Sequence, residues 1–526
     1  MRELSARIFI LIVLLASFSQ SSLAQEIAPL QQMYTMEVER SMSSVDSTFH
    51  SSCKPYLTSS INKSKVFNFE KDTTKYYSKG ALKLFRDHLI HIKKEDFEVS
   101  IDPLFDLSYG RDLADTSSYS STSLRTNTRG IIVQGSIGTK LAFQTGFYES
   151  QSYLPNYLRA FASTATNETT VGLIPGLGRS KPFKTVGYDY SMSFSNISYS
   201  PTKWANFQFG YGKNFIGNGY RSLLLSDAAF NYPHVKGSFS FFKNKLHYTT
   251  IFAGLQNLVR LPLGETPEAL YQKKSASFNY LSFVPTPRIE IGLFEGMIWQ
   301  RQDSSGTKAQ PYGAYIPIIG LNTAINGLSG KQNAVVGLNA NIKITNHFSA
   351  YGQYMMDDPK YHSNGYQVGM KYFDLGLKNL NIQAEFNSLG AYAYANPYST
   401  QSYSHYNQPL GSPVGGDSRE IIGIVNYRYH RILAQLKYNN IRQSNGPSAS
   451  YSNLPGDLMT FVSFPVRKTD QLDASLGLFI NPKTNAQFKV GFTWRVDHNF
   501  IGFSNLSSRY VYVSLSTNIL NRYFDF

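Results

Sequence analysis

From Phe97 almost to the last residue, apolar side chains return at every second position, in runs of ten or so residues. Successive side chains of a strand point to opposite faces, so this period predicts strands with one apolar and one polar face. Ile131, Val133, Ile137, Thr139, Leu141, Phe143 and Phe147 oppose Gln134, Ser136, Gly138, Lys140, Gln144 and Gly146. Leu380, Ile382, Ala384 and Phe386 oppose Asn381, Gln383, Glu385 and Asn387. Ala486, Phe488, Val490, Phe492, Trp494 and Val496 oppose Gln487, Lys489, Gly491, Thr493, Arg495 and Asp497. Residues 334–344 repeat the pattern.

Half-apolar strands build either a soluble antiparallel sandwich or a membrane barrel with a polar lumen. Strand length favours the barrel, because a tilted strand needs roughly 9–11 residues to cross a bilayer and sandwich strands average about half that. Aromatics at strand ends, such as Tyr366 and Tyr372 or Tyr427 and Tyr429, suit interfacial girdles. Tight turns at 481–485 and 345–347 contrast with a long polar stretch at 390–417, as expected of a barrel with one short and one long rim. In lipid every unpaired backbone group costs several kcal/mol, so such a sheet must close. The expected fold is all-β, a transmembrane antiparallel β-barrel over 97–526. At roughly 25 residues per strand and connection, that length predicts 16 or 18 strands.

Composition narrows the class further. Charged residues make up 16% and aromatics 14%, which excludes disorder. A mean hydropathy of −0.27 and the lack of a second long apolar run exclude a polytopic helical membrane protein. Cys53 stands alone, so no intramolecular disulfide, Cys-rich zinc site or iron–sulfur cluster can form, and no cofactor is expected. The net charge of +15 is spread along the chain; it favours anionic sugars and lipid phosphates, and a secreted barrel is not a nucleic-acid binder.

Arg2 and Arg7 precede an apolar run at 8–16 and the small-residue site Ser22-Leu23-Ala24, which reads as a signal peptide over 1–24. No cysteine follows that site, so a lipoprotein anchor is not expected. Between 25 and 96, Leu82, Phe85, Leu89 and Ile92 recur at helical spacing and predict one amphipathic helix over 73–92, serving as a periplasmic cap or plug. His88 and His91 would share that helix as ordinary surface histidines, with no metal expected. At the other end, Val511, Val513, Leu515, Thr517 and Ile519 alternate up to a slip at Leu520. The final Tyr523-Phe524-Asp525-Phe526 resembles the terminal insertion signal of bacterial outer-membrane barrels.

Several blocks resemble the gliding-motility outer-membrane protein RemB of Bacteroidota and its relatives: Asn127-Thr128-Arg129-Gly130, Tyr188-Asp189-Tyr190, Phe294-Glu295-Gly296, Lys371-Tyr372-Phe373-Asp374 and Ser404-His405-Tyr406-Asn407-Gln408-Pro409-Leu410. The most distinctive is the stretch 210–227, with Gly210, Gly212, Lys213, Asn214, Gly217, Gly219, Arg221 and Asp227. This resemblance, which covers most of the chain after residue 24, implies a cell-surface barrel in the outer membrane, with a more distant likeness to the capsule-assembly barrel Wzi. It brings no catalytic residues. Where relatives are expected to read His-Pro-x-Gly-Ala-Asn after the Asn407-Gln408-Pro409-Leu410 run, this chain has Ser412-Pro413-Val414-Gly415-Gly416-Asp417.

Two stretches carry candidate chemistry. In 210–227 the glycines let the backbone bend or approach closely, and Lys213, Asn214, Arg221 and Asp227 form a lumen or constriction block, its charges pairing with one another. It is not a phosphate loop, because Lys213 is followed by Asn and the flanks are strands. The loop bearing Tyr392, Tyr394, Tyr398, Tyr403, His405, Tyr406, Asn407 and Gln408 offers aromatic faces and amides for a glycan or a protein partner, or tyrosines that cap the barrel mouth against one another. Asp357 and Asp358 read as a solvated turn. With no nucleophile, zincin or paired-carboxylate arrangement, no enzyme is expected. The functional expectation is an outer-membrane barrel for gliding motility or surface-protein and adhesin handling, its partners being membrane lipid and motility or secretion-machinery proteins. The alternatives are a Wzi-like capsular polysaccharide-binding barrel and a passive channel.

Overall fold

The computed structural model describes residues 27–58, 61, 66, 78–117, 119–164, 172–261, 270–303, 306–309, 311–328, 332–357, 363–396, 399–444, 466–500, 503–517 and 521–526. The signal-peptide residues, Tyr398 and Asp358 lie outside them. Eighteen strands form a closed antiparallel barrel, each paired with its neighbours, and the first, Phe97–Asp112, closes on the last, Phe503–Ser516, through the register Val513↔Tyr109. The wall strands run from 8 residues at Ala205–Gly212 to 17 at Leu270–Thr286. Closure leaves no edge to template aggregation. Connections at 203–204, 287–288 and 430–431 are tight and share one rim; those at 153–186, 213–231, 301–332 and 390–417 are long and share the other.

The alternation sorts side chains in the inverse of a soluble protein. Ile131, Leu338, Ile421, Phe488 and Val490 are exposed on the outside, whereas Gln383, Glu385, Asn387, Thr493, Arg495 and Asp497 are buried on the inside. An outer surface of isoleucine, leucine and phenylalanine around a core of amides and charges is stable only where the surroundings are hydrocarbon.

The N-terminal segment fills the short-turn end of the lumen. Its helix, Gln32–Ser41, went unrecognised in the sequence because its buried face carries charge: Glu37 and Glu39 are buried. Glu39 bridges Lys54, at 2.9 Å, and the wall residue Lys371. Lys343 donates to the carbonyls of Met42, Ser44 and Ser47, and Ser51 and Ser52 bond Glu290. The helix expected over 73–92 is corrected to Lys79–Phe85, with 73–77 outside the described residues. Asp102 captures His88 Nδ1 at 2.6 Å and the Leu89 amide at 2.9 Å, and Ile90–Lys94 then pairs with residues 97–101 as a strand. The β-branched Ile90 and Ile92 fit that hairpin better than a helix. His91 faces Glu98 across it at 3.0 Å.

A second unforeseen element lies outside the wall. Glu295 follows the exposed Ile291 and Leu293 on the outward face of its strand, yet it is 1% exposed. The uncharged segment 311–328 crosses over it like a strap. The Gly320 amide and the Thr323 amide and hydroxyl donate to the Glu295 carboxylate, Asn279 donates from the next strand, and Tyr248 donates to the Pro317 carbonyl. Ala314 of the strap packs with Met297, Trp299 and Ala334 of the wall beneath it. A bare carboxylate facing lipid would be prohibitive, and these donors offset its desolvation.

Candidate functional site

The stretch 213–231 leaves the wall at the long-loop rim and folds into the lumen. Phe215–Ile216 pairs with Cys53–Lys54 of the N-terminal segment, and the Gly217 amide donates to the Ser52 carbonyl. Gly217 has φ +153°, and a Cβ there would lie 2.5 Å from Gln353 Nε2. The constriction block is thus inside the lumen, but its charges do not form the single cluster expected of Lys213, Arg221 and Asp227. Lys213 Nζ donates to the Gly176 and Asp227 carbonyls, and burial pushes its ammonium down to about 8. Asn214 accepts from Lys236. Arg221, fully buried, pairs with Glu420 at 2.8 Å and Asp525 at 3.1 Å. Asp227 accepts from Tyr523 and Asn521. The cluster divides because acceptors distant in sequence, from the wall and the tail, sit closer than the block's own charges.

The tail lies inside the lumen and not in the wall. The last strand ends at Ser516, and residues 521–526 turn back inside: Asp525 meets Arg221 and Lys437, and the Phe526 carbonyl accepts from Arg495. Burial alone would raise the Asp525 carboxyl, but Arg221 and Lys437 overcome it and hold it well below the usual carboxylate range.

The tyrosine loop packs onto this block. Tyr394 and Tyr403 are fully buried, stack at 5.8 Å, and donate to the carbonyls of Leu223 and Leu224. His405 Nδ1 accepts from the Gln256 amide and Nε2 donates to the Asn231 carbonyl; burial pushes the imidazole down to about 3, so it stays neutral. Asn407 accepts from the Leu258 amide and Gln408 from the Gly176 amide. Tyr392 and Tyr406 are half-buried. Asp357, expected in a solvated turn, is buried and accepts from the Tyr394 amide. The rings of Tyr394, Tyr403 and His405 are spent on the interior. Tyr403→Ala should therefore impair folding, by about 3–5 kcal/mol, as read from the denaturant midpoint of the purified barrel; an unchanged midpoint would contradict this packing.

An open surface lies elsewhere on the long-loop rim, and periodicity gave no signal for it. Arg125 sits 4.9 Å over the Tyr153 ring, which meets Phe183 at 6.2 Å, and Lys184 lies 5.4 Å over Phe183. Beside them, Tyr119 is 38% exposed under Arg159, which Asp115 holds at 2.7 Å. Arg125, Lys181 and Lys184 are exposed. The side chains come from two loops and a strand start, separated by up to some 70 residues of sequence.

No family model and no curated protein sequence matches the chain. Solved structures do. Wzi, described as an outer-membrane protein involved in group 1 capsule assembly in Escherichia coli and a carbohydrate-binding β-barrel, aligns over 94% of this chain and 100% of its own, with a TM-score of 0.56 and 13% identity. Pseudomonas aeruginosa OprD covers 81% of this chain and 98% of its own at TM-score 0.42 and 10% identity. Acinetobacter baumannii OccAB2 covers 80% and 97% at TM-score 0.44 and 9% identity. The chain is an outer-membrane β-barrel. Its tight turns therefore face the periplasm and its long loops the exterior.

Proposed function

We propose that this barrel is a closed, non-enzymatic, polysaccharide-binding protein of the cell surface that takes an anionic glycan at its outer rim. One observation carries the reading: the lumen is filled from both ends, by the N-terminal segment, the 213–231 and 390–417 loops and the tail, while the aromatic and basic rim stays open. Aromatic rings pack on sugar C–H faces, and arginine and lysine answer carboxylates or phosphates on the polymer. Wzi, similar along its whole length, carries the description carbohydrate-binding, which supports the same substrate class here.

The reading predicts retention of the detergent-solubilised protein on gels containing acidic polysaccharide. Arg125→Ala together with Lys184→Ala should weaken retention about tenfold at low salt, with less effect at high salt, where the Debye length shortens. Planar bilayers containing the protein should remain silent. Equal retention of both proteins, or none, overturns the rim assignment. A pull-down from native outer membrane that yields motility or secretion proteins and no glycan would favour the partner-holding role instead.

A further inference from the structure

A cavity of about 380 Å³ lies between the N-terminal segment and the wall, well apart from the rim. It is lined by Pro482, Lys483 and Asn485 on the periplasmic turns and reaches inward as far as Lys213 and Asn214. That volume falls within the roughly 300–1,000 Å³ of small-molecule sites.

One cross-strand row faces it. Gln134 pairs in register with Gln144, Gln144 with Asn196, Asn196 with Gly210 and Gly210 with His234, which sets neutral hydrogen-bonding side chains on four of five successive wall strands. Gly210 keeps the row open: a Cβ there would lie 2.8 Å from Asn196 Nδ2 and 3.1 Å from His234 Cε1. In the adjoining row Gln208 is 1% exposed; it donates through Nε2 to Asn206, but its Oε1 accepts no hydrogen bond from any described residue. The same holds for Asn196 Oδ1. Buried amide oxygens are ordinarily satisfied, so unpartnered ones on a cavity wall call for a donor from outside the chain. Tyr34 and Phe194 add aromatic surface to the lining.

The nearby charges are already committed. Lys213 donates to two carbonyls, and Glu98 bonds His91 and Lys93. Lys483 belongs to a periplasmic turn and not to the row. Amides that both donate and accept, with aromatic faces and no charge within the row, match a neutral polyol.

We infer that this cavity is a second saccharide site, taking one or two neutral sugar units from the periplasmic side. The inference rests on the glycan reading for the class of ligand but not on the rim.

The test uses the full chain in detergent, titrated calorimetrically with maltose, cellobiose and lactose, and separately with an oligomeric hexuronate. At least one neutral disaccharide should bind. Asn196→Leu and Gln144→Leu should lose tenfold or more of that affinity, while Arg125→Ala with Lys184→Ala leaves it intact and weakens only the hexuronate. Failure of all three disaccharides at millimolar concentration leaves a water-filled cavity and overturns the inference; so does binding that both leucine variants leave unchanged. No hexuronate binding by the unaltered protein, with disaccharide binding intact, would remove the rim reading alone. Should the leucine variants fail to fold, Gln144→Cys labelled with a thiol reagent replaces them: disaccharide must slow the labelling, and an unchanged rate refutes the site.

Discussion

Arg221→Met should be the most damaging single change in the lumen, lowering stability by about 3–5 kcal/mol. The guanidinium is fully buried among Glu420, Asp525 and the rings of Tyr220 and Tyr523, and it also donates to the Asp525 carbonyl. Removing it strands carboxylates that have no water to retreat to, and the penalty is that of uncompensated buried charge rather than the net worth of the pair. Asp525 retains Lys437, whereas Glu420 keeps, among the described residues, the amides of Asn387 and Asn439. The first casualty should be the seam between the folded-in block and the tail. The measurable results are a lower denaturant midpoint and current steps in planar bilayers where the unaltered protein gives none. An unchanged midpoint with silent bilayers would show that this ion pair does not hold the lumen shut. The sign of the pH dependence follows from Asp525. Its folded carboxyl titrates below its unfolded value, so its contribution is fully present above about pH 4 and is lost only as the pH falls through the depressed range.

Val490→Arg should be nearly as costly for a different reason. Val490 is 43% exposed on the outer face and Phe492 36%, both within the hydrocarbon belt. A cation near the bilayer midplane costs roughly 2–4 kcal/mol and has no carboxylate to meet there. Thr493→Arg, one position from Phe492, enters the lumen beside Asp473, which already accepts from the Thr493 hydroxyl at 2.6 Å, and should leave assembly near normal. Folding into lipid vesicles, followed by the heat-dependent shift in gel mobility, compares the two variants. Equal damage would overturn the face assignment of this strand.

The wall was legible because its physics is local. A period of two sorts side chains between lipid and lumen without reference to anything distant, so Phe488, Val490 and Phe492 could be placed outside and Arg495 and Asp497 inside from the sequence alone. The even strand count and the unequal rims followed from length and turn residues. The lumen was not legible, because its contacts join residues hundreds of positions apart. Arg221 meets Asp525, and Lys343 meets Ser44, with no periodicity to announce either pair. Tyr394 and Tyr403 misled for a related reason: a tyrosine in a polar loop reads as a surface aromatic until a second loop, here Leu223 and Leu224, is known to lie beneath it. The rim assembled by Arg125, Tyr153, Phe183 and Lys184 is likewise a product of packing. Helical spacing over 73–92 failed where a single carboxylate, Asp102, redirected the chain into a hairpin.

The strap over Glu295 also makes the cylinder lopsided. Tyr312, Tyr315, Ile318 and Ile325 stand exposed on it, at 93%, 59%, 56% and 66%. Acyl chains, or an adjacent barrel in a crowded membrane, meet a greasy ridge on one flank and a smooth stave wall on the other, so the molecule has a preferred side by which to neighbour anything in the plane of the bilayer.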